Sequence, residues 1–451
     1  MITSLYTALA SRVLFPLQER MKKHTSPALL RAMEGSQWWP ARRLDELRIA
    51  RLCALLEHAA AHVPYYRDLF ARLDFDPRTV TRLEDLRALP LLDKSTIRAN
   101  TERMKSEQAV GLARFNTGGS SGEPLIFFIG VERVSHDVAA KWRATRWWNV
   151  DIGDPEIVVW GSPVELGAQD RVRAIRDKVL RTELLPAFEM SEARLDAFVA
   201  RIRAKRPRML FGYPSSISLI AQHARKRGIR MDDLGIRVVF VTSERLYDHQ
   251  REMIESTFGC GVANGYGGRD AGFLAHQCPA GGMHITAEDV IIEIIDGDGN
   301  PLPAGESGEI VVTHLATRDF PFIRYRTGDV GVLDDRQCAC GRTLPLLKEV
   351  QGRSTDFVIA ADGTVMHGLA LIYVLRDLPA VRAFKIVQHT RERVEIMVVG
   401  GDGYSEATEA SIRSGIGRRL GAGVDVDVRR VDEIPAEKSG KHRYVVSHVT
   451  A

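Results

Sequence analysis

Met209-Leu210-Phe211, a helical pattern over 215–227 and Val238-Val239-Phe240-Val241 make the strand–helix–strand unit on which the fold class rests. Each apolar run is short and unbroken by polar residues, as expected of a strand covered on both faces. The alternation extends outward on both sides. Ile157-Val158-Val159-Trp160 reads as another buried strand, and 192–204 and 247–258 read as further helices. The chain is therefore expected to be α/β, with covered sheets.

Upstream, Leu47, Leu52, Leu55, Leu56 and Ala59 keep helical spacing until Pro64-Tyr65-Tyr66, where proline ends the pattern. Downstream of Val290 the texture is β-rich. Val290–Ile295 is a strand, Asp296-Gly297-Asp298-Gly299-Asn300-Pro301 carries turn signals, and Glu309–Thr313 is the next strand. The last hundred residues run strand (357–360), helix (369–377), strands (383–387 and 394–399), helix (405–420) and strand (424–428). That βαββαβ order is the split-βαβ layout of a small α+β domain. The joint Gly352-Arg353-Ser354 then separates a large N-terminal domain of β-sheets flanked by helices, 1–352, from a C-terminal domain, 353–451.

Composition excludes several classes. The 451 residues are 45% hydrophobic and 27% charged, an ordinary globular balance. With 62 basic and 58 acidic residues, the net charge of +4 is too even for nucleic acid to be the main partner. The cluster Arg201, Arg203, Lys205, Arg206 and Arg208 reads as a solvated helix face. No apolar stretch is long enough for a transmembrane segment. Met1 to Leu17 is expected to be a helix packed on the body, with interfacial membrane contact as the alternative. Five cysteines, three of them between 278 and 340, argue for a reducing compartment, hence the cytoplasm.

The loop Asn116-Thr117-Gly118-Gly119-Ser120-Ser121-Gly122-Glu123-Pro124 leads straight into Leu125-Ile126-Phe127-Phe128-Ile129. Its glycines allow close backbone approach, and its hydroxyls sit beside main-chain N–H groups, which suits phosphate. No Gly-Lys-Ser/Thr follows, so it is not a Walker loop, and alone it would serve equally as an ordinary turn. Further motifs follow in order: Gly265-Tyr266-Gly267-Gly268-Arg269-Asp270, Tyr325-Arg326-Thr327-Gly328-Asp329, Gly352-Arg353 and Ser439-Gly440-Lys441.

With these motifs the chain resembles the adenylate-forming superfamily, and within it the phenylacetate–coenzyme A ligase group and its relatives in capsular polysaccharide biosynthesis. The resemblance takes in nearly the whole chain, including Val63-Pro64-Tyr65-Tyr66-Arg67 and Leu91-Leu92-Asp93-Lys94. It implies a two-step reaction: a carboxylate attacks the α-phosphate of ATP to give an acyl-adenylate, and a thiol, often coenzyme A, takes the acyl group. By the same resemblance Thr117, Gly118, Gly119, Ser120, Ser121 and Gly122 would hold phosphates. Tyr266, with Gly267, would stack on adenine, Asp329 would bind ribose, and Arg353 would add a cationic contact. Asp270, usually glutamate in relatives, would ligate Mg²⁺, and Lys441 would bridge the attacking carboxylate and the α-phosphate. Glu123 and Leu125 stand where relatives often carry lysine, and Thr355, followed by Asp356, replaces the hinge aspartate.

Cys278-x5-His284 and Cys338-Ala339-Cys340 offer three thiolates and an imidazole, a complete tetrahedral set for structural Zn²⁺. His276 is the rival nitrogen, and Cys53 and Cys260 read as core residues. Trp160, Tyr213 and Gly265 fall in segments that line the acyl pocket of relatives, which would suit an aromatic acid, although rings there serve equally as core. Trp142, Trp147 and Trp148 read as packing residues.

The acceptor stays open between coenzyme A, a carrier-protein thiol, and an amine or hydroxyl, because Ala360–Gly368 lacks the segment that coenzyme A-using relatives often carry. A different class, a nucleotide-binding scaffold without catalysis, would explain the loop without lysine, Asp270 and Thr355. A homodimer is left open.

Overall fold

Two short strands flank the glycine loop. β1 (Ala113–Asn116) and β2 (Ile126–Ile129) pair antiparallel, with Asn116 opposite Ile126. The computed structural model describes residues 5–116, 125–160, 176–187, 190, 192–353, 357–363, 365–421, 423–434 and 443–449. Within these, the chain divides into two units, Met1–Gln351 and Gly352–Ala451.

The first unit is built on one sheet of eleven strands. In chain order they are β3 (Glu156–Trp160), β4 (Thr182–Pro186), β5 (Met209–Gly212), β6 (Val238–Thr242), β7 (Gly261–Gly268) and β8 (Gly272–Gln277). Then come β9 (Met283–Ile285), β10 (Val290–Ile295), β11 (Ser307–His314), β12 (Tyr325–Asp334) and β13 (Leu346–Arg353). The spatial order is β10-β11-β12-β13-β9-β8-β7-β6-β5-β3-β4. From β4 to β7 every pairing is parallel, while β7 to β8, β8 to β9 and β10 to β11 to β12 are antiparallel. The α/β part and the β-rich part thus share one continuous sheet.

Strand parity explains the unbroken apolar runs. Met209, Phe211, Val238 and Phe240 pack into one core, while Leu210, Val239 and Val241 point to the other face and pack with the helices Glu192–Lys205 and Pro214–Lys226. Both faces are covered, so every position must be apolar. Upstream, the helix Ala41–His62 stops at Val63, which is extended (φ −117°, ψ 106°), and a second helix, Pro64–Arg72, starts with proline in its first turn. Proline disfavours a helical residue before it but suits a helix start, so here it breaks the pattern and begins a new element. Leu52, Leu55, Leu56 and Ala59 form a second core with β2 and the segment 315–325.

The Met1–Leu17 region is helical over Leu5–Met21 and docks by one face only: Phe15 is buried with Leu30, Met33, Trp142 and Ile152. Trp142 and Trp147 are buried, and the Trp147 and Trp148 indoles donate to Gln37 Oε1 and the Gln277 carbonyl, which is a packing role. Cys53 and Cys260 are half-buried at the margin of the core. In the basic cluster, Arg201 and Lys205 both pair with Glu183. No helix among the described residues is long and apolar enough to cross a membrane.

The second unit is α+β. Its four-stranded sheet runs β18 (Asp425–Arg430), β17 (Arg393–Gly400), β16 (Val381–Thr390), β19 (Val445–Ser447), with helices Leu369–Arg376 and Glu406–Leu420. Two of its strands carry no sequence signal, β15 (Val365–His367) and β19. β14 (Phe357–Ile359) pairs with β15 as a separate hairpin, and β19 takes the parallel place beside β16. The buried Gln388 side chain joins the two layers: its amide accepts from Ile359 N (3.0 Å) and donates to Ile359 O (2.7 Å). A side-chain amide thus stands in for a strand partner, which no period-2 pattern signals.

Candidate active site

The two central motifs meet in the antiparallel part of the large sheet. β7 ends in Gly267-Gly268, turns through Arg269-Asp270-Ala271 and returns as β8, with a register shift at Tyr266/Gly267. The turn is too tight for side chains. A Cβ on Gly267 would lie 2.2 Å from the Gly272 carbonyl oxygen, and one on Gly268 would lie 2.7 Å from Asp270 Oδ1. On β12, Gly328 has φ +76°, a conformation that side chains rarely adopt, and the register to β11 shifts between Glu309 and Val311. The Thr327 hydroxyl donates to the Ile310 carbonyl (2.8 Å) and accepts from Asp329 N (3.0 Å), which fixes where Asp329 emerges.

The half-buried Tyr266 hydroxyl donates to Asp329 Oδ2 at 2.9 Å, joining residues 63 positions apart. Burial, and then the Asp329 carboxylate, push the phenol well above its ordinary value, so it remains a donor. Asp270 lies beside this pair. Its Oδ2 accepts from the Tyr325 hydroxyl at 2.6 Å and its Oδ1 from Ala271 N at 3.1 Å. A strand follows Asp270, so this carboxylate caps no helix.

Behind the turn lies a layer of charge that sequence reasoning missed. On the helix Val131–Arg146, Arg133 donates to the carbonyls of Arg269 (3.0 Å) and Asp270 (2.9 Å) and pairs with Asp137 at 3.2 Å. Asp137 also accepts from Phe273 N (3.1 Å) and faces His314 at 4.0 Å. Burial works against a charged Asp137, but Arg133 and His314 outweigh it and hold the carboxyl down at about 2. The available signal was charge on the inward face of an amphipathic helix.

Around the acyl-pocket candidates the rings form a continuous series. Trp160 stacks on Tyr213 (centroids 4.3 Å, 25°), Phe211 lies 6.0 Å from Trp160, and Phe240 stacks on Phe211 at 5.7 Å. Tyr213 is buried and packs behind Trp160, which is half-buried. Gly265 lies against this wall, because a Cβ there would come within 2.8 Å of the Phe240 ring.

The four metal-ligand candidates come together although 60 residues separate their halves. One ligand atom each from Cys278, His284, Cys338 and Cys340 lies within 4.8 Å of all the others. Cys278 Sγ and Cys338 Sγ are 3.6 Å apart, near the roughly 3.8 Å edge of a tetrahedral Zn–thiolate site. His284 Nδ1 lies 3.4 Å from the Leu344 carbonyl, which orients Nε2 toward Cys340 Sγ at 3.2 Å. Burial lowers the imidazole to about 4, so it is neutral, as a ligand must be. Gly282 is needed as well, since a Cβ there would sit 2.5 Å from Cys338 Sγ. The donor set fits Zn²⁺. His276 is not part of it; its ring lies between Phe273 and Phe240 at 5.3 and 5.8 Å.

Thr117, Gly118, Gly119, Ser120, Ser121, Gly122, Thr355 and Lys441 lie outside the described residues. Arg353 ends β13.

Known proteins resemble this chain over most of its length. The chain is 21% identical to protein CapK of Staphylococcus aureus over 96% of its length and 94% of that protein. It is 25% identical to a phenylacetate–coenzyme A ligase of Thermus thermophilus (76% of this chain, 77% of the ligase) and 28% to that of Pseudomonas putida (74% and 75%). The chain is similar to CapK and to the phenylacetate–coenzyme A ligases. Residues 358–448 match the CapK C-terminal domain family. Its fold is that of 2-hydroxyisobutyryl-CoA ligase solved with an acyl-adenylate, with TM-score 0.73 at 21% identity over 91% of this chain and 90% of that one.

Proposed function

We propose that this chain activates a carboxylic acid with ATP and passes the acyl group to a thiol, most simply coenzyme A. In the first step a carboxylate oxygen attacks the α-phosphorus, the Pα–O–Pβ bond breaks, and pyrophosphate leaves. In the second, the thiol loses its proton, its sulfur attacks the acyl carbon, and AMP leaves. The observation that carries the reading is the 2.9 Å bond between Tyr266 and Asp329. It brings an aromatic face and a carboxylate together, one suited to a base and the other to two ribose hydroxyls. Relatives that span most of the chain support it.

Asp270 is the carboxylate for Mg²⁺, which commonly takes one or two carboxylates and fills its other positions from phosphates and water. When bound, the ion would neutralise charge on the phosphates. Tyr325 and Ala271 N orient Asp270, and Arg133 holds its turn. Lys441, by resemblance, supplies the ammonium beside the reacting oxygens, and Thr117–Gly122, with Arg353, make the phosphate and ribose contacts. The series of rings that includes Trp160 and Phe240 supports a flat aromatic acid. Cys278, His284, Cys338 and Cys340 hold a structural Zn²⁺, because four protein ligands leave no open position.

Pyrophosphate exchange with a panel of aromatic and aliphatic acids tests the first step, and thioester formation with coenzyme A tests the second. Acid-dependent exchange is expected; its absence with every acid would leave only the catalytically inactive scaffold. A second reading keeps adenylation but uses an acceptor other than coenzyme A, and it is favoured because Ala360–Gly368 lacks the segment that coenzyme A-using relatives often carry. Exchange without thioester would select that reading.

A further inference from the structure

The helical segment Leu5–Met21 has two unlike faces. Thr7, Ala10, Phe15 and Glu19 turn inward, none more than 3% exposed. Leu5, Leu9, Val13, Leu17 and Met21 turn outward, with exposures of 92, 47, 51, 57 and 79%. The outer row steps by four residues throughout. In a straight α-helix that step overshoots each turn by about 40°, which would wind the row round the axis. The π-helical turn Ala10–Leu14, with its wider i→i+5 spacing, takes back part of the drift and keeps the row facing outward.

Charge along this stretch of sequence is almost all of one sign. From Leu5 to Met33 the sole acidic residue is Glu19, which is buried and bound to Ser26 (2.6 Å) and His24 (3.0 Å). Arg12, Arg20, Lys22 and Lys23 are all exposed, and only Lys22 reaches Glu19, at 3.4 Å. No exposed carboxylate lies along the segment to offset them. A second copy would fit this face poorly, because a two-fold interface sets a patch against itself and would bring the same cations together. An anionic surface with an apolar layer beneath it matches both features.

We infer that Leu5–Met21 docks the protein on an anionic lipid surface. The apolar row sinks into the boundary between headgroups and acyl chains, and Arg12, Arg20 and Lys23 meet lipid phosphates.

The test is flotation of the full chain with phosphatidylcholine–phosphatidylglycerol vesicles against phosphatidylcholine alone. Binding is expected to the anionic vesicles and to weaken with salt. The combined variant Leu9→Glu, Val13→Glu, Leu17→Glu should lose it. The combined variant Arg12→Gln, Arg20→Gln, Lys23→Gln should weaken it by about fivefold per cation removed. All six positions are exposed, so wild-type thermal unfolding of both variants serves as the folding control. The inference is overturned if wild type does not float, if the glutamate variant floats equally well, or if light scattering without vesicles finds a dimer that the glutamate variant converts to monomer. Flotation needs no catalysis, so its outcome is independent of the proposed ligase activity.

Discussion

Tyr325→Phe separates the work of the Asp270 turn from its packing. The ring is fully buried and meets Phe322 edge-on at 5.0 Å, contacts that phenylalanine keeps. Only the hydroxyl is lost, and with it the 2.6 Å bond to Asp270 Oδ2. A hydrogen bond to a charged group contributes about 1.5–3 kcal/mol, most of it forfeited when the acceptor is left unpaired. At about 1.4 kcal/mol per factor of ten, the loss corresponds to about 10- to 150-fold. If Asp270 acts on the reacting phosphate side, that loss falls on kcat for acid-dependent pyrophosphate exchange, while KM for ATP moves little. Tyr266→Phe, which removes the donor to Asp329, should instead raise KM for ATP, because that pair serves nucleotide binding. Urea unfolding of both variants supplies the stability control. Unchanged kcat in Tyr325→Phe, with only a lower unfolding midpoint, would refute a catalytic duty for the Asp270 turn.

Three further outcomes are expected. Freshly purified, reduced protein should carry one equivalent of zinc, and Cys338→Ser or His284→Ala should lose it and unfold at lower temperature; metal-free wild type of equal stability would reject the site. Asp137 has a depressed carboxyl, so its stabilisation is complete above the unfolded value near 3.8 and is lost as pH falls toward about 2. Asp137→Asn should therefore cost about 2 kcal/mol at neutral pH and flatten the acid limb of a urea-unfolding series, whereas an unchanged limb would contradict the pairing with Arg133. Lys441→Ala should leave folding intact and slow adenylate formation by about 10²–10³, and wild-type exchange in that variant would exclude the assignment.

Much of the fold was legible because its signal is local. The runs at 157–160, 209–211 and 238–241 read as buried strands since parallel strands covered on both faces admit no polar position. Cys278, His284, Cys338 and Cys340 were legible because their chemistry has few other uses as a set. Arg133, Asp137 and Tyr325 were not, since a charge on an inward helix face takes its meaning from the backbone it meets. Arg143 and Glu288, paired at 2.6 Å in the interior, are illegible for the same reason. β19 and Gln388 show the same limit in the second unit, where a three-residue strand and a single amide finish a sheet with no periodicity to announce them.

Read alone, the chain specifies its alternating elements, its glycine-rich turns and the residue types that nucleotide chemistry requires, because propensity, period and turn geometry act over a few neighbours. Tertiary structure decided which of those residues meet. Tyr266 reaches Asp329, and Cys278 reaches Cys338, across about sixty residues of chain because one continuous sheet sets the distances between its strands. That sheet order is a property of the packed core, in which every strand must bury its faces at once.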